Sequence, residues 1–169
     1  VTQSLAKLLI KADVDFAILG REEKSTGELA RRVGNEYLFE SMARQNILTL
    51  NSIRFNKIVT ACPHSYNSFI NEYPPLGGHY QVLHHPQYLL QLLNENRFSV
   101  SQRLNEKIAF HDPCYLGRHN GIFTAPRQLA QAACVKKITE LDQNQRNSFC
   151  CGGGGGRNFM EEPPEKRIN

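Results

Sequence analysis

Short apolar segments alternate with helical stretches along most of this 169-residue chain, and that alternation restricts the fold more than any other feature. Val1, Leu5, Leu8 and Leu9 fall on one helical face. Val14 to Leu19 reads as a mostly buried strand ended by Gly20. Gly27 to Leu50 predicts one long helix whose apolar face is Leu29, Val33, Tyr37, Met42, Ile47 and Leu50. Lys57 to Thr60 reads as a strand delivering Cys62 at its carboxyl end, and Pro63 starts a helix that runs to Glu72. His79 to His84 reads as a strand, Gln87 to Leu93 as a helix, and Lys107 to Phe110 as a strand leading to His111-Asp112-Pro113-Cys114. A helix over Pro126 to Ala133 and a strand within Val135 to Leu141 complete the pattern. Such alternation favours mostly parallel sheets covered on both faces. The expected fold is therefore α/β, with two similar lobes of short parallel strands flanked by helices. The polar connector Phe98 to Asn105 is the expected boundary, giving units 1–100 and 101–169. In such sheets ligands collect beyond the carboxyl ends of the strands, where Cys62 and Cys114 both fall.

Composition narrows the function classes. A chain of this length buries roughly two-thirds of its unfolded surface, so the core needs no disulfide staples. The five cysteines (Cys62, Cys114, Cys134, Cys150, Cys151) are odd in number and form no regular framework, which points to a reducing, cytoplasmic compartment. The formal charge of +4 is scattered, with Arg31-Arg32 and Lys136-Lys137 as its densest spots. That pattern argues against nucleic acid as a partner. No apolar run approaches the ~20 residues of a membrane span, and no signal peptide is visible. The chain begins at Val1 inside an amphipathic pattern and reads as part of a longer polypeptide.

Chemistry concentrates at Cys150 and Cys151, which run directly into Gly152 to Gly156. Adjacent cysteines reach disulfide geometry only with strain. Two neighbouring thiolates suit a soft metal, and such thiolates hold iron–sulfur clusters. Glycines let the backbone approach a bulky inorganic group and aim N–H groups at its sulfurs; a plain flexible loop is the alternative.

A cysteine, the 35 residues 115–149, and a cysteine pair before glycine form a specific spacing. It resembles the cysteine-rich CCG domain of heterodisulfide reductase subunits and of the iron–sulfur subunits of glycolate and lactate oxidation. The family pattern is a cysteine, a gap of about 31 to 39 residues, Cys-Cys-Gly, and a later Cys-x-x-Cys, often present twice. His111-Asp112-Pro113-Cys114-Tyr115-Leu116-Gly117-Arg118, Pro126-Arg127, Phe149-Cys150-Cys151-Gly152, Cys62-Pro63-His64 and Asn71-Glu72-Tyr73-Pro74 are similar to family landmarks. The resemblance implies that Cys114, Cys150 and Cys151 are ligands of a cubane or noncubane [4Fe-4S] cluster, with Gly152 and Gly153 beside it. It also implies an electron-transfer subunit or domain of an oxidoreductase. The partner would be a flavoprotein or another iron–sulfur subunit, the acceptor a quinone or disulfide, and the setting the cytoplasmic face of a membrane. The closing Cys-x-x-Cys is expected near about position 187, so the second site would be incomplete within these residues. The first motif departs from the family: Ser25 and Thr26 precede Gly27, and Ser65 stands where a thiol is expected. Hydroxyls are hard, weakly acidic ligands, so the first half is read as degenerate. Cys62 alone is then a weak metal candidate, read as a small buried residue at a strand end.

The remaining candidates divide by role. Cys134 follows Ala132-Ala133 and reads as core packing. His111 either donates a hydrogen bond toward a cluster sulfur or closes its turn. His84 and His85 are expected to be structural, their side chains on opposite faces of a strand. Arg118 and Arg127 are candidates to offset thiolate charge. A zinc site of Cys114, Cys150, Cys151 and His111 is the rival metal reading, and a cluster-less structural domain the rival without metal. Phosphate binding by the glycine loop fails because no Gly-Lys-Ser/Thr follows it.

Overall fold

The computed structural model describes residues 1–161 and 163–166; the final residues of the expected second unit lie outside them. The alternation is present, in shorter pieces than the periodicity suggests. Helix α1 (Thr2–Lys11) ends in a left-handed Asp13 at φ 53°, where Asp13 N–H bonds to the Ile10 carbonyl and Val14 N–H to that of Leu9. The expected strand Val14 to Leu19 does not form. Its backbone finds no ladder partner among the described residues, and Ile18 is 78% exposed.

The expected helix over residues 27–50 is two helices, α2 (Glu28–Arg32) and α3 (Glu36–Asn51). Gly34, at φ 87°, closes α2 by the same pair of reversed bonds, to Arg31 and from Asn35 to Ala30. Asn35 then caps α3, its side chain accepting from Leu38 N–H at 3.0 Å. This break rotates the apolar face. Val33 and Tyr37 are exposed, and the buried stripe of α3 is Phe39, Ala43, Asn46, Ile47 and Leu50.

Strand β1 (Ile58–Thr60) leads into α4 (Pro63–Asn67), which continues as a π-turn over Ser68–Glu72 with Tyr73 N–H bonded to the Ser68 carbonyl at 2.9 Å. Strand β2 (Val82–His84) pairs with β1 in parallel, Ile58 opposite Val82. Helix α5 (His85–Asn94) begins two residues earlier than its apolar stripe suggests, because Gln87 reaches back to His84 N–H in a capping box. Strand β3 (Ala109–Phe110) pairs in parallel with β4 (Thr139–Glu140), and α6 (Thr124–Ala132) lies between them in sequence. The two small parallel sheets and their helices make this an α/β fold.

The interior is shared along the chain. Phe39, Ala43, Ile47 and Tyr73 form one cluster. Leu9, Ala12, Leu89 and Leu92 form a second, onto which Leu129 of α6 packs. Leu116 completes a third with Tyr66 and Val82. Cys134 is buried, as its apolar setting predicts. Leu104, inside the expected connector, bridges to Cys134. His84 is buried, with Nε2 bonded to the Ala61 carbonyl. The rings of His84 and His85 lie 4.6 Å apart rather than on opposite faces, because β2 stops at His84 and His85 begins a helix.

Candidate metal centre

Beyond the carboxyl ends of β1 and β3 lies a cavity of about 190 Å³. Pro63 and His64 line it after β1; His111, Pro113, Cys114 and Tyr115 line it after β3; Cys151 completes it. Strand ends in a parallel sheet present such crevices.

Cys114 and Cys151 thus share one cavity although 36 residues lie between them in sequence. Cys114 and Cys150 are half-buried, and Cys151 is exposed. Burial pushes the Cys114 thiol up, and the nearby Cys150 and Cys151 push in the same direction. The Tyr115 N–H and the Arg118 charge pull the other way without overcoming them. Burial is the larger cause, and like-charge repulsion between neighbouring thiolates adds to it. A soft metal, which requires thiolate, relieves that repulsion. Among the described residues, no three His, Cys, Asp or Glu side chains close around a single ion.

The glycine loop fits a bulky inorganic group. Gly152 at φ 76°, Gly155 at 65° and Gly156 at 81° occupy the left-handed region that side chains disfavour. Gly152 N–H donates to Cys150 Sγ at 3.4 Å, and Gly153 is half-buried beside it. A Cβ on Gly154 would stand 3.5 Å from His64 Cε1, and one on Gly156 only 2.6 Å from Val33 Cγ1. The loop therefore lies against α2 and the start of α4. The donor set, the crevice and the glycine loop all suit an iron–sulfur cluster.

Other candidates are redistributed. Cys62 is exposed, not buried. β1 stops at Thr60, so Cys62 sits in the turn that caps α4, its N–H bonded to Thr60 Oγ1 at 3.1 Å. It does not line the cavity. His111 lines it and also donates from Nε2 to the Phe149 carbonyl at 3.0 Å, just ahead of the cysteine pair. Arg127 does not offset thiolate charge, since its guanidinium is held between Asp112 and Glu140. Two cavity residues, His64 and Tyr115, carried no expectation of a site role. His64 bonds through Nδ1 to Glu28 Oε1 at 3.1 Å and lies 4.3 Å from the Tyr115 ring. Cys62-Pro63-His64 marked the neighbourhood, but its Glu28 partner comes from another helix, which no local pattern reveals.

Comparison with known proteins agrees. The family described as "Cysteine-rich domain" (CCG) matches residues 1–69 and 108–169. The chain is 43% identical over 162 residues, 96% of its length and 22% of the relative's, to the EtfAB:quinone oxidoreductase of Syntrophomonas wolfei. It is 43% identical over 166 residues, 98% of the chain and 24% of the relative, to the probable iron-sulfur-binding oxidoreductase FadF of Bacillus subtilis. It is 32% identical over 151 residues, 86% of the chain, to a subunit of the dihydromethanophenazine:CoB--CoM heterodisulfide reductase of Methanosarcina barkeri, where it spans 37% of the relative. No solved structure matches. Two matched segments and relatives that are iron–sulfur oxidoreductases lead to one assignment: the chain belongs to the cysteine-rich CCG-domain family.

Proposed function

We propose that this chain is part of an iron–sulfur electron-transfer module of an oxidoreductase, with Cys114, Cys150 and Cys151 as cluster ligands. The supporting observation is the meeting of Cys114 and Cys151 at one crevice, with Cys150 turned by Gly152 beside them. Gly152 and Gly153 supply the close-approaching backbone, and Arg118 offers a positive charge near Cys114. A [4Fe-4S] cluster, cubane or noncubane, would supply one-electron chemistry at these thiolates. The protein's own work is to hold three thiols together, keep the crevice shielded by Pro63, Pro113 and Tyr115, and present the exposed edge near Cys151 to a redox partner.

The donor in this reading is a flavoprotein or another iron–sulfur subunit, and the acceptor a quinone or disulfide. The relatives' printed names support that range: one is an EtfAB:quinone oxidoreductase and another a heterodisulfide reductase subunit. Because the chain spans only about a fifth to two fifths of these relatives, partner and acceptor belong to the proposal. So does a location at the cytoplasmic face of a membrane. No helix among the described residues is long and apolar enough to cross one, while one relative is named a probable membrane-anchored ferredoxin. We read residues 1–100 as a first, ligand-poor unit and 101–169 as the ligand-bearing one.

Anaerobic reconstitution of the full-length protein with iron and sulfide tests the reading by electron paramagnetic resonance. The expected result is a cluster signal in one redox state, with iron and sulfide bound stoichiometrically. Stoichiometric zinc with no iron–sulfur signal overturns it.

A further inference from the structure

The cysteine pair sits on a loop that costs much to order, since each glycine surrenders more backbone freedom than any other residue. Something other than the loop itself has to hold its entrance. Three contacts from the turn before Cys114 do so. Asp112, only 2% exposed, accepts the Gln145 N–H at Oδ2, 2.7 Å away. Its backbone carbonyl accepts from Ser148 Oγ at 3.3 Å. His111 reaches the Phe149 carbonyl.

Asp112 is itself held by Arg127. Nη1 and Nη2 donate to its two carboxylate oxygens, each at 2.6 Å, in the parallel fork that only guanidinium provides. The same guanidinium donates to Glu140 of β4 at 2.7 and 2.9 Å and to the Phe123 carbonyl at 3.0 Å, and it lies over the Phe110 ring of β3. It therefore ties α6, both strands of the second sheet and the Asp112 turn together. With two carboxylates on one guanidinium, the trio carries net negative charge, so it cannot act by offsetting thiolates. Burial alone would raise the Asp112 carboxyl, but hydrogen bonds from Arg127 and Gln145 outweigh it and hold the group below its usual value.

We propose that Arg127 and Asp112 are positioning residues that set the entrance of the Cys150–Cys151 loop against Cys114 before any cluster binds. This rests on the reading of the three cysteines as ligands. Removing a group that orients a metal ligand typically costs roughly 10–100-fold in metal affinity.

The test has two arms on the full-length protein. Without metal, dibromobimane bridges neighbouring thiols, and peptide mass spectrometry scores links between the Cys114 peptide and the Cys150–Cys151 peptide. With iron and sulfide, iron content and the paramagnetic signal are read. Arg127→Gln and Asp112→Asn are expected to lower the metal-free cross-link several-fold and to reduce iron loading or alter the signal, with the circular dichroism spectrum kept. If either variant fails to fold, Arg127→Lys and Ser148→Ala take its place, with a graded loss expected. Folded variants with an unchanged cross-link yield overturn the proposal, even if the unsubstituted protein binds a cluster. An unsubstituted protein that binds no iron, yet whose cross-link depends on Arg127, overturns the ligand reading and keeps the clamp.

Discussion

Two turns in this molecule share a backbone and differ in chemistry. In Ser25-Thr26-Gly27, the glycine N–H donates to Ser25 Oγ at 3.2 Å and Gly27 sits at φ 79°. In Cys150-Cys151-Gly152, the glycine N–H donates to Cys150 Sγ at 3.4 Å and Gly152 sits at φ 76°. A short side chain that accepts two residues ahead, followed by a glycine free to go left-handed, makes the turn whether the acceptor is oxygen or sulfur. Ligation does not transfer so easily, because a serine hydroxyl stays protonated where a thiol releases its proton to solvent as its thiolate binds a metal.

Their surroundings differ accordingly. The serine turn is wired into the core: Asn46 Nδ2 donates to the Ser25 carbonyl at 2.8 Å and Tyr73 OH to that of Thr26 at 3.1 Å. A Cβ on Gly27 would stand 3.2 Å from the Phe39 ring. The cysteine turn opens on a crevice and is held from both sides, by the Asp112–Arg127 clamp upstream and by Gly156 against Val33 downstream. The serine turn serves as an anchor in the core, and the cysteine turn carries the thiols.

The sharpest way to break this comparison is to exchange chemistry at both turns. Cys151→Ser is expected to abolish nearly all bound iron and the cluster signal while leaving the thermal unfolding midpoint within a few degrees. Ser25→Ala is expected to leave iron content untouched. Equal iron loss in both, measured per mole of folded protein, would erase the distinction.

A smaller effect should separate the two turns by stability. Gly27→Ala forces a left-handed backbone under Phe39 and is expected to cost on the order of 1–3 kcal/mol in urea unfolding, with iron affinity unaffected. Gly156→Ala drives a methyl into Val33 Cγ1, and the loop, having less core around it, should shift instead. Its expected result is weaker iron loading, partly recovered in a Gly156→Ala, Val33→Ala double variant because the smaller neighbour removes the clash.

A further expected effect is on pH dependence, and it belongs to the ends of β1 and β2. Burial, with His85 adding to it, lowers His84 from 6.5 to about 4. The unfolded chain therefore takes up this proton at a higher pH than the native state. The stability from neutral His84 is fully present above pH 6.5 and is lost as pH falls toward about 4. Denaturant midpoints measured from pH 7 to pH 4 should decline, and His84→Gln should flatten the upper part of that decline. Asp112, held low by its partners, adds a further loss only in stronger acid.

Much of this was legible from local signals. Proline after Cys62, the spacing from Cys114 to the cysteine pair, and the burial of Cys134 all rest on neighbours in sequence. Periodicity misleads where it runs past a local stop. Gly34-Asn35 is a helix end and a helix start in adjacent residues, yet the apolar residues spaced through it suggest one continuous helix. Val14 to Leu19 has strand composition but no ladder partner among the described residues, and pairing belongs to the sheet rather than to the segment.

By itself the sequence determined the class of fold, the positions of adjacent thiols before glycine, and the hydroxyls at Ser25 and Ser65, because periodicity and side-chain chemistry are written residue by residue. The tertiary structure alone decided that His64 joins Cys114 and Cys151 at one crevice, that Cys62 faces solvent, and that Arg127 holds Asp112 instead of balancing a cluster. Each of these depends on which strand ends meet and which helix lies against them, and such long-range packing leaves no period in the chain.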